Sequence, residues 1–146
     1  MLGIMELPAI TDLIPHRPPF LFVDAADEFR ADGATCRRTF HPEEAFYAGH
    51  YPGNPITPGV LLCEATFQAA AAWLSQRPGT DLAGRTPVLS RIENAKFKRM
   101  VKPGDTIEIE VTHKETTRGF EFLRSIIRCE GKTVVTLDFV LAMVAE

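Results

Sequence analysis

His50, Gly59 and Glu64 lie in one short stretch, residues 49–68, reading GHYPGNPITPGVLLCEATFQ. Their types suit proton transfer beside a carbonyl. His50 brings an imidazole that is a neutral base near physiological pH. Glu64 is the one formal charge between Gly59 and Gln76, in a run made mostly of Leu, Ala, Phe and Trp. A helix apolar on nearly every face is enclosed by the rest of the chain. Enclosure without a cation favours the neutral carboxylic acid, which can donate a proton. The alternative is a core carboxylate satisfied by neighbouring backbone or by an arginine. Gln68, one helical turn on, is spaced to orient it.

The elements that must position these groups are a rigid loop and a helix start. Pro52, Pro55 and Pro58 recur at every third position with Gly53 and Gly59 beside them, which excludes helix and ladder pairing and favours an extended track. Thr57-Pro58-Gly59 reads as N-cap, N1 and N2 of a helix that runs to Gln76. Its first turn leaves N–H groups without helical partners, and the dipole there favours negative charge. Gly59, lacking a side chain, lets a thioester carbonyl approach those donors as an oxyanion site. Base, acid and oxyanion donor together suit loss of a leaving group next to an acidified C–H. His16, His41 and His113 are read as surface histidines.

The chain has 146 residues and reads as one domain, 1–146, with a single core. Sixteen basic against nineteen acidic side chains give a net charge of −3, which disfavours a nucleic-acid surface. Cys36, Cys63 and Cys129 fit no metal-ligand spacing. They are read as reduced thiols of a cytoplasmic protein, with Cys63 a small buried hydrophobe rather than a nucleophile. No basic region precedes an apolar run at the N-terminus, so no secretory leader is expected, and no apolar stretch is long enough to span a membrane as a helix.

Residues from about Leu7 to Leu13 read as a short helix ended by Pro15. Phe20–Val23 is a bulky run expected to form a buried strand, and Asp32-Gly33 a turn into a second strand, Ala34–Phe40. Glu43–Ala48 is expected to be an irregular turn. After a stop at Arg77-Pro78-Gly79 and a polar loop to Arg85, four further strands are expected: Pro87–Lys98, Ile107–Thr112, Phe120–Cys129 and Thr133–Val144. An antiparallel sheet of about six strands needs its apolar face covered, and the 59–76 helix is the one candidate of adequate size. The fold class is therefore α+β, with a sheet wrapped around one long helix.

His50 to Gln68 resembles the signature of the FabZ-type β-hydroxyacyl-[acyl-carrier-protein] dehydratases of fatty-acid synthesis. The match extends to the opening segment Leu13–Asp24 (LIPHRPPFLFVD) and to Ala95–Arg99 with Val101–Asp105 (AKFKR, VKPGD). The resemblance implies the hot-dog fold, homodimers often assembled to hexamers as trimers of dimers, and sites shared between two subunits. It implies dehydration of a β-hydroxyacyl thioester, carried on the phosphopantetheine of acyl carrier protein, to the trans-2-enoyl product, without metal or redox cofactor. His50 would take the α-proton and Glu64 would protonate the departing hydroxyl. Gly59, Val60 and Gln68 would form the oxyanion and substrate-binding set, with Tyr51, Thr57 and Phe67 at the loop or acyl tunnel.

Glu64 and Asn54 favour the plain dehydratase over its dehydratase-isomerase relatives, which typically carry Asp at both places. Thr57, Thr66 and Phe67 depart from the usual pattern. Thr57 is expected to compete for the helix N-terminal donors, and Phe67 either narrows a tunnel or is core. A net-negative chain needs a local basic patch to meet an acidic carrier protein, and Arg91, Lys96, Lys98, Arg99 and Lys102 form the densest one. The alternative for them is a solvated strand face. Two other functions remain: a hot-dog acyl thioesterase with Glu64 activating water, or a non-catalytic acyl-thioester-binding subunit.

Overall fold

A computed structural model describes residues 6–80, 82 and 84–145. Its elements in chain order are α1 (Ile10–Leu13), β1 (Ala25–Arg30), β2 (Gly33–Thr39), α2 (Phe46–Gly49), α3 (Gly59–Gln76), β3 (Arg85–Phe97), β4 (Thr106–Thr117), β5 (Phe120–Cys129) and β6 (Lys132–Ala145). The six strands form one antiparallel sheet in the order β1-β2-β4-β5-β6-β3. Helix α3 packs into its concave face, which is the hot-dog fold. Asp81 and Ala83, in the expected loop before Arg85, lie outside the described residues.

Register explains how the sheet closes on the helix. Successive pairings Ala26↔Cys36, Cys36↔Ile109, Ile109↔Ile127, Ile127↔Val135 and Val135↔Phe97 run one row of side chains across all six strands. Paired residues share a face, and from Cys36 to Val135 the row is fully buried. Its last member, Phe97, reaches the start of α3. The hairpins are tight because Arg118-Gly119 and Glu130-Gly131 all take positive φ, from 51° to 83°, the conformation that matches the twist of the flanking strands.

Sheet and helix are also pinned by polar contacts. Trp73 Nε1 donates to the Arg30 carbonyl at 2.8 Å. Arg77, the C-cap of α3, reaches across to the buried Glu121 carboxylate, with Nη2 to Oε1 at 2.6 Å and Nη1 to Oε2 at 3.2 Å. His113 and Thr116 meet the same Glu121 Oε2 at 2.9 and 2.6 Å. His113 is therefore no plain surface residue, contrary to the sequence expectation, whereas His41 is exposed.

Three further expectations are corrected. The expected helix 7–13 is a single turn, Ile10–Leu13. The expected irregular turn 43–48 contains a short helix, Phe46–Gly49. Phe20–Val23 is not a strand, and the first strand is Ala25–Arg30 instead. The reason is that its backbone is satisfied by a side chain: Phe22 N donates to Gln68 Oε1 at 2.7 Å, and Gln68 Nε2 donates to the Phe20 carbonyl at 3.0 Å. No neighbouring strand is needed to absorb those groups.

Candidate active site

Helix α3 begins one residue later than expected, with Pro58 at the N-cap and Gly59 the first helical residue. Thr57 lies outside because its groups are engaged elsewhere. Its N–H donates to the Val101 carbonyl at 2.8 Å, and its hydroxyl pairs with Tyr47 Oη at 2.6 Å in a buried setting. The expected competition of Thr57 for the helix donors is thus absent, and no side chain caps this end. Burial pushes the Tyr47 phenol up, against the opposing effect of the Thr57 hydrogen bond, so it stays an O–H.

The first amides of α3, those of Gly59 and Val60, have no carbonyl one turn behind them within the helix. Val60 projects outward and is 75 % exposed. A Cβ on Gly59 would sit 2.8 Å from Phe97 Cε1, so the glycine is what lets the Phe97 ring lie against the helix start. The role foreseen for Gly59, close approach of a ligand, is accompanied by close approach of this ring.

His50 follows α2 as its C-cap residue and is half-buried. Its Nδ1 lies 2.7 Å from the Ile56 carbonyl. A carbonyl only accepts, so Nδ1 carries the hydrogen, and in the neutral ring Nε2 keeps a free lone pair. Tyr51, with φ 53°, turns the chain immediately afterwards, and the turn is closed by Asn54 N to the Tyr51 carbonyl at 2.8 Å. The Tyr51 ring packs on His50 edge-on at 4.8 Å between centroids and is 63 % exposed.

Glu64 is half-buried, with 24 % of its side chain accessible. Its Oε2 accepts from Gln68 Nε2 at 3.1 Å, so the orienting role expected of Gln68 is present. Gln68 is itself fully buried and held by Phe20 and Phe22. Val60 is exposed and Glu64 and Phe67 are half-buried; the three fall at spacings of four and three and share one face of the helix. His50 and Glu64 do not form an ion pair in the single chain: the ring bonds the Ile56 carbonyl, and the carboxylate meets Gln68 and His16.

His16 is a residue whose place sequence reasoning missed. Read as a surface histidine, it stands with Nε2 4.0 Å from Glu64 Oε2. The available signal was its position inside the LIPHRPPF segment. Cys63 is buried beside Glu64, and burial pushes its thiol up, which removes the nucleophile alternative. Cys36, pushed up to about 12 mainly by burial, is equally inert. Thr66 is buried with its hydroxyl 3.1 Å from that of Ser125. The Phe67 ring packs on Phe139 at 5.2 Å between centroids, which supports its core reading.

Arg91, Lys96, Lys98, Arg99 and Lys102 are all exposed, from the middle of β3 to the loop after it. Arg91 is paired with Glu93. Arg99 and Lys102 line an open groove of about 440 Å³ together with Lys132, a cation that sequence reasoning did not include. Among the described residues no group of three or more His, Cys, Asp or Glu side chains is arranged to hold a metal ion. No helix of the described residues is long and apolar enough to cross a membrane.

Residues 14–138 match the family model of the FabA-like domain. The 3-hydroxyacyl-[acyl-carrier-protein] dehydratase FabZ of Pseudothermotoga lettingae is 36 % identical over 139 residues, covering 95 % of this chain and 96 % of the relative. That of Escherichia coli is 35 % identical over 144 residues, covering 97 % and 95 %. Among solved structures, a chain of the dehydratase heterocomplex ApeI:P from Xenorhabdus doucetiae shares the fold with a TM-score of 0.82 at 17 % identity, covering 97 % of this chain and 94 % of that one. A hypothetical thioesterase with coenzyme A from Streptococcus pneumoniae shares it at 0.63 and 14 % identity, covering 84 % and 86 %. The chain therefore belongs to the FabA-like family, among its 3-hydroxyacyl-[acyl-carrier-protein] dehydratases of the FabZ type.

Proposed function

We propose that the protein removes water from a β-hydroxyacyl thioester on acyl carrier protein to give the trans-2-enoyl thioester, as part of fatty-acid or related acyl-chain synthesis in the cytoplasm. The observation that carries this reading is the His50 geometry. Its Nδ1–H is held by the Ile56 carbonyl, so Nε2 keeps its lone pair as a base of fixed tautomer. Nε2 takes the α-proton, and the electron pair of that C–H bond delocalises towards the thioester oxygen, where the Gly59 N–H and its neighbour at Val60 receive it. The C–O bond then breaks with its pair on oxygen, and Glu64 supplies the proton that makes the leaving group water. Both steps are proton transfers between side chains and substrate, and for them no cofactor is invoked.

The second half of each site is proposed to come from another copy of the chain. Among the described residues strand β3 is an edge strand bonded to β6 alone, and nearly every residue along it is exposed. Val88, Leu89, Ile92 and Phe97 on it, with Met100 and Val60 nearby, form an apolar margin. An open edge with such a margin suits pairing with an identical edge about a two-fold axis. Dimerisation would cover the helix face that carries Glu64 and bring it to a partner's His50. Assembly of three such dimers is carried by the family resemblance. The basic groups Lys96, Lys98, Arg99 and Lys102 are proposed to meet the acidic carrier protein.

The test is detection of enoyl thioester from a short β-hydroxyacyl carrier substrate with wild type, His50→Ala and Glu64→Gln. Loss of turnover in both variants with unchanged folding supports the assignment. Thioester binding by wild type without turnover would replace it by the acyl-binding reading, and release of free thiol without enoyl product by the thioesterase reading.

A further inference from the structure

We infer that His16 is a positioning residue for Glu64: with Gln68 it holds the Oε2 oxygen, so that Oε1 is the oxygen that exchanges a proton with substrate. The inference rests on the dehydratase reading for the role of Glu64 and adds which atom acts and what holds it.

Two side-chain nitrogens approach one oxygen, one of them within hydrogen-bond distance. Gln68 Nε2 lies 3.1 Å from Glu64 Oε2, and His16 Nε2 lies 4.0 Å from the same atom. No group among the described residues bonds Oε1. At 4.0 Å the imidazole contact is one of charge and dipole, and a side-chain shift of about 1 Å brings it to hydrogen-bond length.

The segment that carries His16 is tied down on both sides of it. Arg17 Nη1 donates to the His16 and Ile14 carbonyls at 2.7 and 2.9 Å, and Nη2 donates to the Thr11 carbonyl at 2.9 Å. Ile14 is buried in the core. Downstream, Gln68 grips Phe20 and Phe22. The same glutamine therefore fixes the acid and the strap that brings His16 to the acid.

The ring's own environment selects its state. His16 Nδ1 is buried with no hydrogen-bond partner among the described residues. An imidazolium would place an N–H there without an acceptor, as would the Nδ1–H tautomer. The neutral Nε2–H tautomer leaves only a lone pair in that spot and puts its hydrogen on the nitrogen that lies 4.0 Å from Glu64 Oε2. With the ring shifted to hydrogen-bond length, two donors on Oε2 stabilise the carboxylate that develops as Oε1 gives its proton to the departing hydroxyl.

The experiment combines kinetics with one spectrum of the wild-type protein. His16→Ala should lower kcat on a β-hydroxyacyl carrier substrate roughly 10- to 100-fold with KM within about 2-fold. His16→Gln, whose amide nitrogen replaces Nε2, should recover kcat to within about 3-fold of wild type. In wild type labelled with 15N-histidine, the resonance missing from His16→Gln should report a neutral ring protonated at Nε2. A wild-type kcat in His16→Ala, a glutamine variant as impaired as the alanine one, or an Nδ1–H or doubly protonated ring at neutral pH each overturns the inference. The spectrum decides even if His16→Ala does not fold. Failure of the dehydratase reading is a separate result, absence of enoyl product from wild type.

Discussion

Gln68 donates to Glu64 Oε2 at 3.1 Å from the same amide that holds the Phe20 carbonyl and the Phe22 N–H. One buried side chain thus satisfies the backbone of an irregular segment and orients the acid of the site. Gln68→Leu is of similar volume but leaves the buried Phe22 N–H unpaired, at about 1–3 kcal/mol, and removes the donor to the Phe20 carbonyl. The expected outcome is a urea midpoint well below that of wild type together with lost turnover. An unchanged midpoint would mean that the strap finds other partners and that Gln68 acts on Glu64 alone.

Phe97 lies where a Gly59 side chain would be, and the two must change together. Gly59→Ala puts a Cβ 2.8 Å from Phe97 Cε1, so the ring has to leave the helix start. Turnover should fall roughly 10-fold or more as the first amides are displaced from the oxyanion. In the double variant Gly59→Ala/Phe97→Leu the clash is relieved, and part of the loss should return. Additive losses in a double-mutant cycle would show that the ring and the glycine are uncoupled.

Helix α3 and the hairpins after it were legible because their signals are local. The apolar run with one charge, the stop at Arg77-Pro78-Gly79 and the Arg118-Gly119 and Glu130-Gly131 turns each sit inside the element they define. The strap from Pro15 to Asp24 was not legible, because what replaces its ladder partners is the side chain of Gln68, 46 positions from Phe22. The same distance hid His16, whose neighbourhood to Glu64 is made by that strap. His50, Gly59, Glu64 and Gln68 could be singled out as candidates from residue type and spacing, but the placement of Thr57 could not. Its partners, Tyr47 and Val101, belong to other segments.

Glu121 should make stability depend on acid. Burial alone would lift its carboxyl, but hydrogen bonds from Arg77, Thr116 and His113 outweigh that and hold it below the ordinary carboxylate value. Its contribution is full above the unfolded value of about 4.3 and is lost as pH falls through the lower folded value. Wild type should therefore lose stability from about pH 5 downward more steeply than Glu121→Gln. At neutral pH the variant should be less stable by on the order of 3 kcal/mol, since Arg77 loses its charged partner. Urea midpoints at a series of pH values check this, and parallel curves below pH 5 would remove Glu121 from the account.

The basic loop predicts a difference between two substrates. Lys96→Glu with Lys98→Glu should lower kcat/KM on carrier-bound substrate by about tenfold while changing a small pantetheine thioester less than about twofold. Added salt should shrink the difference, since exposed charges are screened. Equal losses on both substrates would return these lysines to the role of a solvated strand end.

A site divided between two copies has a consequence that no single-chain site shares. His50→Ala and Glu64→Gln proteins, each inactive, should regain activity when unfolded together and refolded. If subunits pair at random, half of the dimers are mixed, and each mixed dimer holds one site with both native residues and one with neither. About a quarter of wild-type activity should return. A site built within one chain has one residue missing in every copy and returns nothing. Ile92→Glu, placed on the open edge strand β3, should dissociate the assembly and abolish activity even though His50 and Glu64 are intact. Full activity in a monomeric Ile92→Glu protein would show that one chain suffices.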